Sequence, residues 1–185
     1  MLSRLMVLTV ATMAACAPLA ERVALSPVPS SLELRPLVGS AMVRTVSLPT
    51  YAALEEIAIG TADGRIAINE DVLWADDPER AVTLILTRTL GDILNTDVGP
   101  DPWPFVGLPD VSVDVRVARM LGSVDGTFQL SGQFFVASEA AAFRDSSHSF
   151  EITVPMTDAS VGSIAAAQSA ALLVLAEQIA ATLGR

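Results

Sequence analysis

The stretch VSVDVRVARMLGSVDGTFQLSGQFFVAS (Val111–Ser138) decides the fold. Val111, Val113, Val115 and Val117 alternate with Ser112, Asp114, Arg116 and Ala118. A period of two places one set of side chains in a core and the other in water. Phe128, Leu130, Gly132, Phe134 and Val136 keep the same alternation. Ser123-Val124-Asp125-Gly126 lies between the runs, and Asp-Gly is a strong hairpin signal. Two antiparallel strands, Val111–Leu121 and Thr127–Ser138, follow from this reading. A third, Ser147–Pro155, brings Phe150, Ile152 and Val154 to the same inner face, after a short connection at Glu139–Ala142.

Upstream, Asp76-Asp77-Pro78-Glu79 reads as a helix start. Aspartate caps free N–H groups, proline suits the first turn, and acids favour the positive end of the helix dipole. Val82, Ile85, Leu86, Leu90, Ile93 and Leu94 then form one apolar stripe at helical spacing, and Asn95 closes it. Before that helix, Met42–Leu48, Ile57–Gly60 and Arg65–Asn69 read as strands, the last two joined through Thr61-Ala62-Asp63-Gly64. Val98–Pro109, with Trp103 between Pro102 and Pro104, reads as a loop. Downstream, Asp158 or Ser160 caps a helix over Val161–Leu183, with Gly184 in the position of a glycine stop. The predicted order is β-β-β-α-β-β-β-α. The predicted fold class is α+β, a mainly antiparallel sheet with one face covered by two helices.

The chain has 185 residues, 51% of them hydrophobic and 17% charged, with a formal net charge of −10. All eleven basic residues are arginine. So acidic a chain lacks the basic clusters that bind phosphate backbones or anionic lipid, so nucleic acid is not an expected partner. The apolar stretch Ile164–Leu183 is interrupted by Gln168, Ser169, Glu177 and Gln178 and reads as a core helix, not a membrane span.

The first residues carry a different signal. Met1–Arg4 hold one positive charge, and Leu5–Ala15 are apolar or small apart from Thr9 and Thr12. This run is too short to span a bilayer and suits a secretory signal. Met13-Ala14-Ala15-Cys16 is a lipoprotein-type processing site. Residues 1–15 are then a signal peptide, and the mature chain starts at a lipidated Cys16. Ala15-Cys16-Ala17 also fits ordinary cleavage after Ala17. Residues 17–41, with Pro18, Pro27, Pro29 and Pro36, read as a flexible linker in which Leu32–Leu34 pairs as an edge strand. Residues 42–185 read as a single periplasmic domain. Cys16 is the only cysteine, which excludes a disulfide within the chain.

No constellation for catalysis stands out. His148 is the only histidine, and in Ser146-Ser147-His148-Ser149 its neighbours face the opposite side of the strand. It reads as solvent-facing. No Gly-x-Ser-x-Gly elbow occurs. One histidine and one distant cysteine make a poor metal set, and Asp97, Asp101 and Asp110 match no calcium loop. Neither an enzyme activity nor a cofactor or metal is expected.

Leu48-Pro49-x-Tyr51, Trp74-Ala75-Asp76 and Pro102-Trp103 resemble, in order and spacing, the PqiC/YmbA family of ABC-type transport auxiliary lipoproteins. The resemblance covers about Met42–Leu183. It implies an outer-membrane lipoprotein facing the periplasm, anchored at Cys16 through a lipid such as palmitate. It also implies accessory work with an MCE (mammalian cell entry) protein and its ABC or membrane transporter subunits, which carry lipids between the two membranes. A homo-oligomeric ring is a further implication. Pro49, Tyr51, Trp74 and Trp103 match family positions, either as packing residues or as contacts to a partner. One departure is that Tyr51 is followed by Ala52-Ala53-Leu54-Glu55-Glu56 instead of Leu-Asp-Arg-Pro-Gln. The alternative function is a structural or assembly lipoprotein of another cell-envelope complex, and a soluble periplasmic binding module stands behind it.

Overall fold

A computed structural model describes residues 21–140 and 143–185. The expected signal peptide over residues 1–15, Cys16 and residues 17–20 lie outside the described residues. The alternating stretch forms two long strands, numbered here in chain order as β6 (Val111–Ser123) and β7 (Thr127–Ser138). They pair antiparallel, and Gly126 closes the hairpin at φ 86°, where glycine escapes the Cβ clash. β8 (Ser146–Pro155) continues the antiparallel ladder along β7.

On its other side β6 meets two short strands in turn. β2 (Ser40–Val43) pairs parallel with Val111–Val113, and β3 (Glu56–Gly60) pairs parallel at Gly122 and Ser123. β2 carries β5 (Asp97–Pro100), also parallel. β3 pairs antiparallel with β4 (Ile66–Trp74), and β4 carries β1 (Glu21–Val23) in parallel. The result is an eight-stranded sheet that branches at β6.

The α+β class holds, with two helices and long antiparallel ladders, but the predicted sheet and the predicted order both need correction. The sheet is mixed, because β1, β2, β3 and β5 each make a parallel pairing. The order gains two strands and becomes β-β-β-β-α-β-β-β-β-α. β5 takes the start of the expected loop Val98–Pro109, and β1 lies inside the expected linker. Hairpin turns leave a local sequence signal and are antiparallel by construction, whereas parallel pairing joins residues far apart in the chain and leaves none. The 17–41 linker is corrected likewise for its described part. From Glu21 onward the chain is docked, not free. The Leu34 N–H donates to the Ile93 carbonyl (3.0 Å), the Leu37 N–H donates to the Leu183 carbonyl (2.8 Å), and Val38 is buried. The strand falls at Glu21–Val23 and not at Leu32–Leu34.

Helix α1 (Pro78–Leu94) starts as the sequence indicates. The Asp77 side chain accepts the Arg80 N–H at 2.8 Å, and Asn95 ends the helix in the left-handed conformation at φ 46°. Helix α2 (Val161–Leu183) is capped by Ser160, which accepts the Ser163 N–H at 3.2 Å. By length and composition α2 does qualify as a membrane span, with a window of mean hydropathy 1.5, contrary to the sequence reading; 61% of that window is buried against the sheet, as in a core helix. Gly184 is not a left-handed stop, since its φ is −142°. Glycine fits there because a Cβ would lie 2.9 Å from both Leu34 Cβ and Leu94 Cδ2.

Both helices cover one face of the sheet. Val113, Val115, Leu130 and Phe134 meet Leu86 and Leu90 of α1 and Leu172, Leu175 and Ile179 of α2 in one buried cluster. Burial of each such side chain contributes about 1.5–3 kcal/mol. Ala167, Ala171, Ala176 and Ala180 are buried on α2, so its backbone approaches its neighbours closely.

Candidate functional site

Between Ser47 and Ile59 the β6 edge has no strand beside it, and the Leu48–Ala53 segment fills the gap. Residues 44–47 leave β2 but stay beside β6, with the Ser47 N–H donating to the Val115 carbonyl (3.0 Å) and the Val117 N–H donating to the Ser47 carbonyl (2.9 Å). Pro49 then starts a single 3-10 turn over Thr50–Ala52, and its carbonyl accepts the Ala52 N–H at 2.8 Å. The turn aims the half-buried Tyr51 at β6, where its hydroxyl accepts the Met120 N–H at 3.2 Å. A side chain thus supplies the acceptor that a strand would otherwise provide. The first two turns of α1 fix the start of the segment from the other side. The buried Thr83 hydroxyl accepts the Val46 N–H (3.0 Å), and a Glu79 carboxylate oxygen accepts the Leu48 N–H (3.2 Å).

Opposite this gap β6 bulges at Ala118, the extra residue between the pairs Val117–Gly132 and Arg119–Ser131. Bulges bend a strand and re-aim its side chains. Gly132 is required across from it, because a Cβ there would lie 2.2 Å from the Arg116 carbonyl oxygen.

Trp74 is 7% exposed at the end of β4, with its N–H donating to the Glu55 carbonyl (2.7 Å) and its carbonyl accepting from Arg22 (2.8 Å). It meets Tyr51 and the buried Gln168 around a cavity of about 10 Å³. It also lines a separate apolar cleft of about 220 Å³, walled by Val23 and Leu25 on one side and by Ala81, Leu84 and Ile85 of α1 on the other. Of the four aromatic and proline positions singled out in the sequence, Pro49, Tyr51 and Trp74 therefore gather at the β6 gap. Trp103 stands apart, on the loop after β5. Its ring packs on Gly99 and meets Phe105 edge-on at 4.9 Å, and its buried indole N–H has no hydrogen-bond partner among the described residues. Beyond it Phe105 (49% exposed), Val106 and Leu108 (69% exposed) project from the fold. Sequence reasoning treated this loop as Gly- and Pro-rich only and missed its apolar tip, although three large apolar residues between Pro104 and Pro109 were the available signal.

Among the described residues no group of three or more His, Cys, Asp or Glu is placed to hold a metal. His148 is not solvent-facing as expected. It is half-buried, shares the inner face with Phe150, stacks on Phe134 at 4.8 Å, and lies 3.0 Å from the Ser146 hydroxyl through Nε2. Its neighbours Ser147 and Ser149 are exposed on the opposite face, as the strand period requires. Asp110 is also structural, its carboxylate accepting the Gly39 N–H at 2.7 Å. Glu139 ties β6 to the segment that leaves β2. Its carboxylate accepts from the Ser112 hydroxyl (2.8 Å) and from Arg44 (3.0 Å), and these bonds hold it below the usual carboxylate range.

With this geometry in place, comparison with known proteins decides the family. A family model described as ABC-type transport auxiliary lipoprotein component matches residues 24–180. The chain belongs to that family. The match begins inside the docked N-terminal segment and ends within α2, so the auxiliary-lipoprotein unit includes the residues first read as linker. No curated protein matches the chain. Two solved structures share the fold seen here. One is an uncharacterized protein, 19% identical with a TM-score of 0.70, covering 87% of this chain and 98% of its own. The other is protein XCC0632 from Xanthomonas campestris, 17% identical with a TM-score of 0.63, covering 88% of this chain and 91% of its own.

Proposed function

We propose that the protein is a non-catalytic accessory lipoprotein of an MCE/ABC-type system that moves lipid between the two membranes, anchored by lipid at Cys16 in the outer membrane and facing the periplasm. The observation that carries this reading is the family match over residues 24–180 downstream of a lipoprotein-type processing site. Ala17 after the cysteine, where an aspartate would favour retention in the inner membrane, supports outer-membrane sorting. The docked chain changes what the anchor does. Only residues 17–20 separate Cys16 from β1, and so short a stretch reaches about 14 Å when fully extended. The domain is held beside the bilayer instead of standing off it. Two or more acyl chains would make the attachment stable, since each buried methylene contributes about 0.8 kcal/mol. Copies of the chain associate with one another, as a ring requires.

The test is gentle co-purification of the tagged, membrane-extracted full chain with its partners identified by mass spectrometry. Recovery of an MCE-domain protein or its ABC permease is the expected result. Recovery of other envelope proteins alone, under conditions that preserve MCE complexes, would instead favour a structural lipoprotein of a different complex. Cys16→Ser should release the protein from the membrane fraction, and intact mass would show whether acyl chains are present.

A further inference from the structure

We propose that the apolar tip of the 103–108 loop on one copy seats in the apolar cleft beside α1 of a second copy, so that copies join head to tail. This deepens the self-association reading above and rests on it.

Two independent features point to each other. The first is a knob. Phe105, Val106 and Leu108 form the densest group of exposed large apolar residues among those described, and Val106 is fully exposed. Residues 102–109, PWPFVGLP, carry no charge at all. Contiguous exposed apolar surface of this kind marks an interaction site. The second is a hole. The cleft walled by Val23, Leu25, Trp74, Ala81, Leu84 and Ile85 holds about 220 Å³. Ligand pockets run from about 300 to 1,000 Å³, so the cleft is better sized for a few side chains than for a whole lipid. It is concave, which a protruding side chain can fill and a flat bilayer surface cannot. The ionisable group on its rim, Asp76, is already paired with Arg80. Seating an uncharged loop there buries no unpaired charge, which would otherwise oppose the contact.

The positions dictate the symmetry. Leu84 of α1 lies between the cleft and a second groove on the opposite flank of the helix, and that groove is bordered by Pro100 and Asp101, where the knob loop begins. The loop that carries the knob therefore leaves the fold from the flank of α1 opposite the hole. A contact between different surfaces is heterologous, and it closes into a ring when the rotation per copy allows. A reciprocal two-fold pair would need knob and hole on one face, and in the cross-linking test it would stop at dimer.

The experiment uses the full chain extracted in mild detergent. Val106→Cys and Ala81→Cys in one chain, oxidised and run on a non-reducing gel, should give a ladder extending beyond dimer. The two single variants, co-expressed, should give dimer only. The parent chain, which keeps Cys16, supplies the background. Val106→Asp should shift the native mass to that of a single chain with the thermal melt unchanged, since a fully exposed side chain contributes little to the fold. If the parent is oligomeric while Val106→Asp stays oligomeric and no 81–106 cross-link forms, this contact is wrong and the self-association reading survives. If the parent is itself a single chain, the self-association reading falls and this contact with it. A fluorophore on V106C that is quenched by brominated lipid would place the loop in the bilayer and overturn the proposal.

Discussion

Tyr51 shows how one side chain can complete a sheet. The Met120 N–H lies on a residue only 5% exposed, and its acceptor is the phenol oxygen. Tyr51→Phe removes that acceptor and keeps the ring. Leaving a buried donor unpaired costs about 1–3 kcal/mol, so a loss of that size is expected from urea denaturation, with the slope unchanged. Gln168, in the same small cavity, is the converse case. Its amide nitrogen is buried without a partner among the described residues, so Gln168→Leu should leave stability unchanged or raise it. Gly132 is the strictest position. A Cβ there meets the Arg116 carbonyl oxygen at 2.2 Å and the Phe150 ring at 2.9 Å, and neither backbone nor packed ring can yield cheaply. Gly132→Ala should cost more than about 4 kcal/mol, the range of exceptional substitutions, or prevent folding, as followed by circular dichroism. Tyr51 and Gly132 both act on β6, the strand at which the sheet branches.

At the scale of elements, α1 does two jobs. It packs the core through Leu86 and Leu90, and its first two turns hold the chain at Val46 and Leu48 through Thr83 and Glu79. Asp77→Ala removes the cap and should cost about 0.5–2 kcal/mol, whereas Leu86→Ala, which opens a cavity at a fully buried position, should cost about 2–5 kcal/mol. Thermal melts would separate the two. Element identity was largely legible in the sequence wherever a local signal existed. Asp77-Pro78 marked the helix start, Asp63-Gly64 and Asp125-Gly126 marked hairpins, and the valine alternation marked β6. β1 and β5 were not legible. Each is only three or four residues long, each is held by parallel neighbours distant in sequence, and proline-rich surroundings disguised both. The gathering of Pro49, Tyr51 and Trp74 was invisible for the same reason, since it depends on where β6 lacks a strand.

Across the whole molecule, acid stability follows from carboxylates held in hydrogen bonds. Glu139 is lowered first by Ser112 and then by Arg44, Asp63 by Arg65 and Thr61, Asp125 by Thr127, and Asp158 by Ser160. A group whose folded pKa is depressed stabilises the fold above its unfolded pKa, about 4 for carboxylates, and that contribution is lost as pH falls through the folded value. The melting temperature should therefore be nearly flat from about pH 7 to pH 5 and fall below about pH 4. Glu139→Gln should melt lower at neutral pH and lose less on acidification, because it has no charge left to give up.

The sequence by itself determined the α+β class, both helices with their N-caps, the long antiparallel strands and, through the spaced Pro and Trp motifs, the family. These rest on periodicity, capping chemistry and turn residues, all of which act between near neighbours in the chain. Tertiary structure alone decided that the proline-rich segment from Glu21 is part of the domain, that the sheet is mixed and branched, and that the loop after β5 projects an apolar tip while an apolar cleft opens beside α1. Such features depend on which distant surfaces meet once the core is buried, and burial is non-directional, so no local pattern encodes them.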